Sequence, residues 1–126
     1  MGAPSKQRLL YFALAAALAC TAQPALAKAT AKKGAYGAIA LQRESGQFGY
    51  VYNAATARAA KIEALNQCAD ARCEVVVSFS NACGVLVRGP KKHFTATDAT
   101  RQEAEAKALR LCAAKDCAVV TWACTK

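Results

Sequence analysis

Seven cysteines carry most of the reactive chemistry in this chain, and four of them repeat a pattern. CADARCEVVV, Cys68 to Val77, returns forty-four residues later as CAAKDCAVVT, Cys112 to Thr121. Two C-x4-C pairs admit three chemistries. Four thiolates could clamp a zinc ion. A pair could cycle between dithiol and disulfide, although that chemistry ordinarily uses C-x-x-C. Each pair could also be a structural disulfide. The compartment separates them, because an oxidising environment converts spaced thiols into bridges.

The first residues point to such a compartment. In MGAPSKQRLLYFALAAALACTAQPALA, Lys6 and Arg8 precede the apolar run Leu9–Ala19, and Ala25-Leu26-Ala27 has the small-x-small form of a cleavage site. The run is shorter than the roughly 20 residues of a membrane span. Residues 1–27 are therefore expected to be a signal peptide cut between Ala27 and Lys28. An alternative is a lipoprotein anchored at Cys20, but Ala17-Leu18-Ala19 fits a lipobox poorly. Cutting after Ala27 removes Cys20 and leaves six cysteines, an even set. The expected location is periplasmic or extracellular, with no transmembrane span after the signal is removed. On that expectation the cysteines are staples, and neither a metal site nor a cofactor is expected.

Little else in the chain suggests catalysis. His93 stands alone in the basic run Arg88-Gly89-Pro90-Lys91-Lys92-His93, with no neighbouring carboxylate to orient it. Ser45, Ser78 and Ser80 lie outside any Gly-x-Ser-x-Gly elbow. Glu103 and Glu105 are two apart on an expected helix and face different ways. No phosphate-binding glycine loop or metalloprotease motif occurs. No catalytic residue is assigned and no enzyme activity is expected. Trp122, in the last strand, is expected in the core.

Charge singles out one surface. Lys28, Lys32 and Lys33 give residues 28–35 a charge of +3, residues 36–80 balance to zero, and residues 81–126 carry +4. Arg88, Lys91, Lys92 and His93, on a turn stiffened by Pro90, form the candidate binding surface. Its expected partner is a protein or an anionic envelope polymer. Nucleic acid is not expected, since export removes it and no recognisable binding module is present.

The elements that hold these residues are written twice. Between Thr56–Val76 and Thr100–Val120, nine of 21 positions are identical at an offset of 44 with no gap. Continued upstream, the same offset sets Ala38 on Ala82 and Ile39 on Cys83. Each copy reads strand, turn, strand, helix, strand. First strands are expected over Ala38–Arg43 and Cys83–Arg88, and second strands around Phe48–Tyr52 and Lys92–Ala96. Thr100-Arg101-Gln102-Glu103 has capping-box form, with Thr hydroxyl and Glu carboxylate each meeting a backbone N–H. Thr56 can cap the first helix without a matching glutamate. Ala60, Ala64, Cys68 and Ala104, Ala108, Cys112 form stripes that let each helix lie close on its sheet.

Repeat symmetry favours the pairs Cys68–Cys73 and Cys112–Cys117, each clipping a helix exit to the next strand. Cys83 is then left with Cys124, and a strand–strand–helix–strand unit can bring its first and last strands to a common end. The expected fold is α+β: two pseudo-symmetric strand–strand–helix–strand repeats, antiparallel-rich sheets covered by two alanine-rich helices, stapled by disulfides. Residues 28–35 are expected to form a flexible basic arm. Residues 36–126 are expected to form one domain, with repeats at 36–80 and 81–126.

Tyr36-Gly37-Ala38-Ile39-Ala40, Gly49-Tyr50-Val51-Tyr52-Asn53, Cys73-Glu74-Val75-Val76, Asn81-Ala82-Cys83-Gly84 and Val119-Val120-Thr121-Trp122-Ala123-Cys124 together resemble a bacterial secreted family. The family is catalogued as domain of unknown function 4189, and the resemblance runs from Tyr36 to Cys124. It implies a small exported protein and supplies no catalytic residues; some relatives are regarded as secreted effectors. Lys91-Lys92-His93 departs from the glycine-rich turn and strand that the resemblance leads one to expect. The reading that follows is a binding or inhibitory module of the envelope or extracellular space. The alternatives are a hydrolase of envelope polymers or an effector acting on a host.

Overall fold

The computed structural model describes residues 35–125. The expected leader 1–27 with its Ala27/Lys28 cut, the Cys20 anchor and residues 28–34 of the arm lie outside the described residues. The elements run β1 (Tyr36–Leu41), β2 (Phe48–Ala54), α1 (Ala57–Cys68), β3 (Glu74–Ser80), β4 (Cys83–Arg88), β5 (His93–Asp98), α2 (Arg101–Cys112) and β6 (Ala118–Cys124). They form two ββαβ units. Each makes a three-stranded antiparallel sheet, in the orders β2-β1-β3 and β5-β4-β6. Among the described residues no helix is long and apolar enough to cross a membrane.

The layers follow from side-chain alternation along the two central strands. On β1, Ala38 and Ala40 meet Ala60, Ala64 and Cys68 of α1. On β4, Cys83, Val85 and Val87 meet Ala104, Ala108 and Cys112 of α2. The opposite faces carry Ile39, Leu41 and Leu86, which join Phe79 and Ala123 between the sheets. The order is helix, sheet, sheet, helix. Contacts between the sheets are reciprocal: β2 meets β6, as β5 meets β3. The inner layer holds the large residues, each worth about 1.5–3 kcal/mol on full burial. The Phe79 ring fills the space a Cβ would need at both Gly37 and Gly84. This one side chain therefore sits against the first strands of both units.

Against the helices the layers are thin, because alanine methyls fill much of them. A glycine tightens the first further. At Gly49, a Cβ would run into the backbone of α1 at Ala64 and Cys68. Thr56 accepts from the Ala59 N–H at 3.0 Å and caps α1. Thr100 likewise accepts from the Glu103 N–H at 3.2 Å. The expected capping box is only half made, however. The Glu103 carboxylate accepts from the Thr100 hydroxyl at 3.0 Å in place of the Thr100 backbone N–H. Both helices end on an alanine in the left-handed region, Ala69 and Ala113.

The gapless offset does not hold through the first strands. Ala38 and Val85 occupy equivalent places, as their pairing with Ser78 and Trp122 shows, so the offset there is 47. Two features absorb the difference. The β1–β2 loop has two residues more than the β4–β5 loop, and a bulge at Asn53, with φ of 61°, adds one to β2. The counterpart of Cys83 is thus Tyr36, not Ile39, while Ser80 remains the counterpart of Cys124. Sequence identity is concentrated in the helices and last strands, so an insertion in the divergent hairpin leaves little trace in a one-dimensional overlay. Gln42 organises the longer loop. It is buried, and its Oε1 accepts from the Glu44 N–H at 2.6 Å and the Ser45 N–H at 3.2 Å.

The bridges are Cys68–Cys73, Cys83–Cys124 and Cys112–Cys117. The outer two join each helix end to the strand that follows. Cys83–Cys124 crosses paired positions of β4 and β6. On the chain-entropy account, a bridge spanning 41 residues restrains the unfolded chain by about 4 kcal/mol, and one spanning five by about 2 kcal/mol. Replacing Cys83 and Cys124 with alanine should therefore cost about twice as much stability as replacing Cys68 and Cys73. Urea unfolding of the two double variants checks the order; equal losses would show that loop length is not what these staples act through.

Candidate functional site

Two surfaces stand out, and only one was anticipated. The first lies at the hairpin end of the sheets. β4 ends at Arg88, β5 begins at His93, and the four-residue loop between them closes with Gly89 N–H donating to Lys92 C=O at 2.9 Å. The segment Lys91-Lys92-His93, unusual for the resemblance noted above, thus makes a regular hairpin. Both first strands run toward this end, and Arg43 from the first unit joins Arg88, Lys91, Lys92 and His93 around a cleft of about 320 Å³. Sequence reasoning missed Arg43 because it lies 45 residues from Arg88.

The charges at this end differ in freedom. Arg43 reaches Glu74 at 3.8 Å with both side chains exposed, a pairing of little energetic weight. Lys92 lies 5.2 Å from the centre of the Phe94 ring. Arg88, Lys91 and Lys92 make no salt bridge among the described residues. Partial burial, then the nearby charges of Arg43 and Arg88, hold the His93 imidazole below its ordinary pKa of 6.5. At neutral pH the end therefore carries its charge on Arg43, Arg88, Lys91 and Lys92, with His93 neutral.

The second surface is an aromatic groove of about 470 Å³ between the units. Tyr50 and Tyr52 of β2 form one wall, and Val120 to Cys124 of β6 form the other side. Trp122 is 39% exposed and lines this groove, so the expectation of a core tryptophan is corrected. Its strand is at the edge of a sheet, where one side of the residue has no neighbouring strand to cover it. The Arg101 guanidinium stacks over its ring, 3.9 Å from the centroid. A signal for this groove existed in the alternation of Tyr50 and Tyr52. Trp122 also faces Ser78 in the repeat, a mismatch that a shared core role would not produce.

The remaining chemistry-bearing residues are dispersed. All six described cysteines are bonded in pairs. Among the described residues, no three His, Cys, Asp or Glu side chains gather as metal ligands. Glu103 lies with the Thr100 cap, and Glu105 pairs with Arg101 one turn earlier. Asp70 holds the turn between Cys68 and Cys73. Its carboxyl is kept below the usual range, first by the Arg72 backbone N–H at 2.8 Å and then by the Arg72 side chain.

Among solved structures, the fold is similar to that of Rv1813c from Mycobacterium tuberculosis, determined by NMR. The match has a TM-score of 0.59 and 23% identity, covering 82% of this chain and 94% of that one. At that identity the likeness concerns the fold alone. No curated protein matches the chain. A family model described as Domain of unknown function (DUF4189) matches residues 36–124, which takes in both ββαβ units and all three bridges, and the chain belongs to that family.

Proposed function

We propose that this protein is a non-enzymatic binding module of the cell envelope or extracellular space, and that its basic end takes an anionic envelope polymer. One observation carries the reading: the hairpin ends of two repeats converge so that Arg43 joins Arg88, Lys91, Lys92 and His93 around one cleft. Four cations on a scaffold stapled by three disulfides are positioned before any ligand arrives, which lowers the ordering cost of binding. The bridges suggest an oxidising, extracytoplasmic setting, where phosphate- and carboxylate-bearing polymers are the abundant polyanions. The acidic side chains of α2 act in capping and ion pairing, which supports a role without catalysis.

Titration of the disulfide-bonded protein with polyglycerol phosphate, at low and high salt, tests the reading. Binding should weaken steeply with salt, and charge reversal in the Arg88→Glu, Lys91→Glu, Lys92→Glu variant should reduce affinity at least about tenfold. Unchanged affinity in that variant would remove the basic end as the site. Binding of an acidic protein but not of the polymer would replace the ligand class.

His93 supplies an independent pH readout. Because its folded pKa lies below the unfolded value, the unfolded chain binds the proton more readily. Its contribution to stability is present above about 6.5 and is lost as pH falls through the lowered folded value. Bound polyanion should move the imidazole pKa upward, so affinity should rise as pH drops. An NMR titration of the His93 ring checks both statements; a pKa above 6.5 in the free protein would contradict the first.

A further inference from the structure

β6 is the last strand of its sheet and pairs only with β4, so its outer backbone edge has no partner among the described residues. Five consecutive residues, Val120 to Cys124, line the aromatic groove. Successive side chains of a strand point to opposite faces, so an unbroken run can line one groove only where the strand presents its edge. Across the groove the lining residues alternate, Tyr50 and Tyr52, as one face of β2. Exposed edges are ordinarily guarded by charged residues or proline, and Ala118–Cys124 contains neither.

The repeat provides an internal control. At the equivalent place in the other half, Thr95 and Thr97 stand for Tyr50 and Tyr52, Ser78 stands for Trp122, and Ala57 stands for Arg101. The architecture is thus built at that place without aromatic rings or a guanidinium. Their presence on one side only is not a requirement of the fold.

We propose that this groove binds an extended acidic peptide, which adds to the β6 edge as a further strand. A free backbone edge offers the N–H and C=O groups of alternate residues, at a rise of about 3.3 Å per residue, which another extended peptide matches along its length and a sugar chain does not. Alternate residues of the added strand would face the tyrosine wall. The others would lie beside Trp122, on the side where it pairs with Val85 and carries Arg101. Charge decides the composition. No acidic residue lines the groove, Arg101, which also pairs with Glu105, stands over its tryptophan, and residues 28–126 carry a formal net charge of +7. An acidic strand is attracted, whereas a second copy of this basic chain is repelled.

The test uses NMR titration of the disulfide-bonded protein with a capped seven-residue peptide of alternating glutamate and valine. The amides of Val120 to Cys124 should shift, and those pointing outward should exchange more slowly. The same peptide N-methylated at alternate residues keeps its side chains but loses strand hydrogen bonds, and should bind at least about tenfold more weakly. The Tyr50→Thr, Tyr52→Thr variant installs the residues of the other repeat and should lose about tenfold in affinity. Its response to polyglycerol phosphate at Arg88 and Lys92 should be unchanged, so this proposal and the basic-end reading can fail separately. Arg101→Ala should remove the preference for the glutamate peptide over its lysine counterpart. Equal binding of the N-methylated peptide, or no shift with any peptide, would overturn the proposal. So would groove shifts produced by chitohexaose in place of peptide, or shifts that grow with protein concentration alone.

Discussion

Burial of β1 and β4 on both faces is the constraint on which this structure depends. Each central strand has a helix on one side and the opposite sheet on the other, so neither face can turn to water. Their sequences show it as near-continuous apolar runs, Ala38-Ile39-Ala40-Leu41 and Val85-Leu86-Val87, in place of the alternation of a half-exposed strand. Four layers within so short a chain leave little room for volume. The larger side chains are spent between the sheets, and the helices approach over alanine and glycine. A methyl buries far less surface than a leucine side chain, so the helix-facing layers hold weakly by themselves. The outer disulfides lie where that weakness would matter, at each helix exit.

The duplication explains the economy of the design and marks where it was abandoned. Equivalent positions retain the alanine stripe, the threonine cap, the left-handed terminal alanine and the local bridge. Divergence gathers elsewhere. Phe79 fills the inter-sheet space beside Gly37 and Gly84, where its counterpart is Ala123. Cys83 and Cys124 staple the second unit where Tyr36 and Ser80 stand in the first. Aromatic residues collect at one of two equivalent places, and the pair Lys91-Lys92 stands on one of two hairpin loops. A symmetric scaffold has thus acquired two chemically distinct surfaces.

Much of the fold was legible in the chain. Cysteine spacing, the alanine stripes and the threonine caps are local signals, set by the geometry of one helix and its exit, and they placed the elements to within a few residues. The register of the first strands was not legible. A two-residue difference in loop length and a bulge at Asn53 can be located only through the hydrogen-bonded ladders. Gln42 looked like any polar loop residue, because its role depends on backbone amides that converge only once the turn is formed.

By itself, the sequence determined that one ββαβ unit occurs twice, which residues each helix buries, and which cysteines stand near enough to bridge locally. These follow from periodicity and short-range geometry, which tertiary context seldom overrides. Only the tertiary structure decided what the surface offers. It brought Arg43 across to Arg88, left β6 at the edge of its sheet, and turned Trp122 out beside Tyr50 and Tyr52. Those outcomes depend on how two sheets stack and which strand ends uncovered, and that order across the sheets is not encoded in any local run of residues.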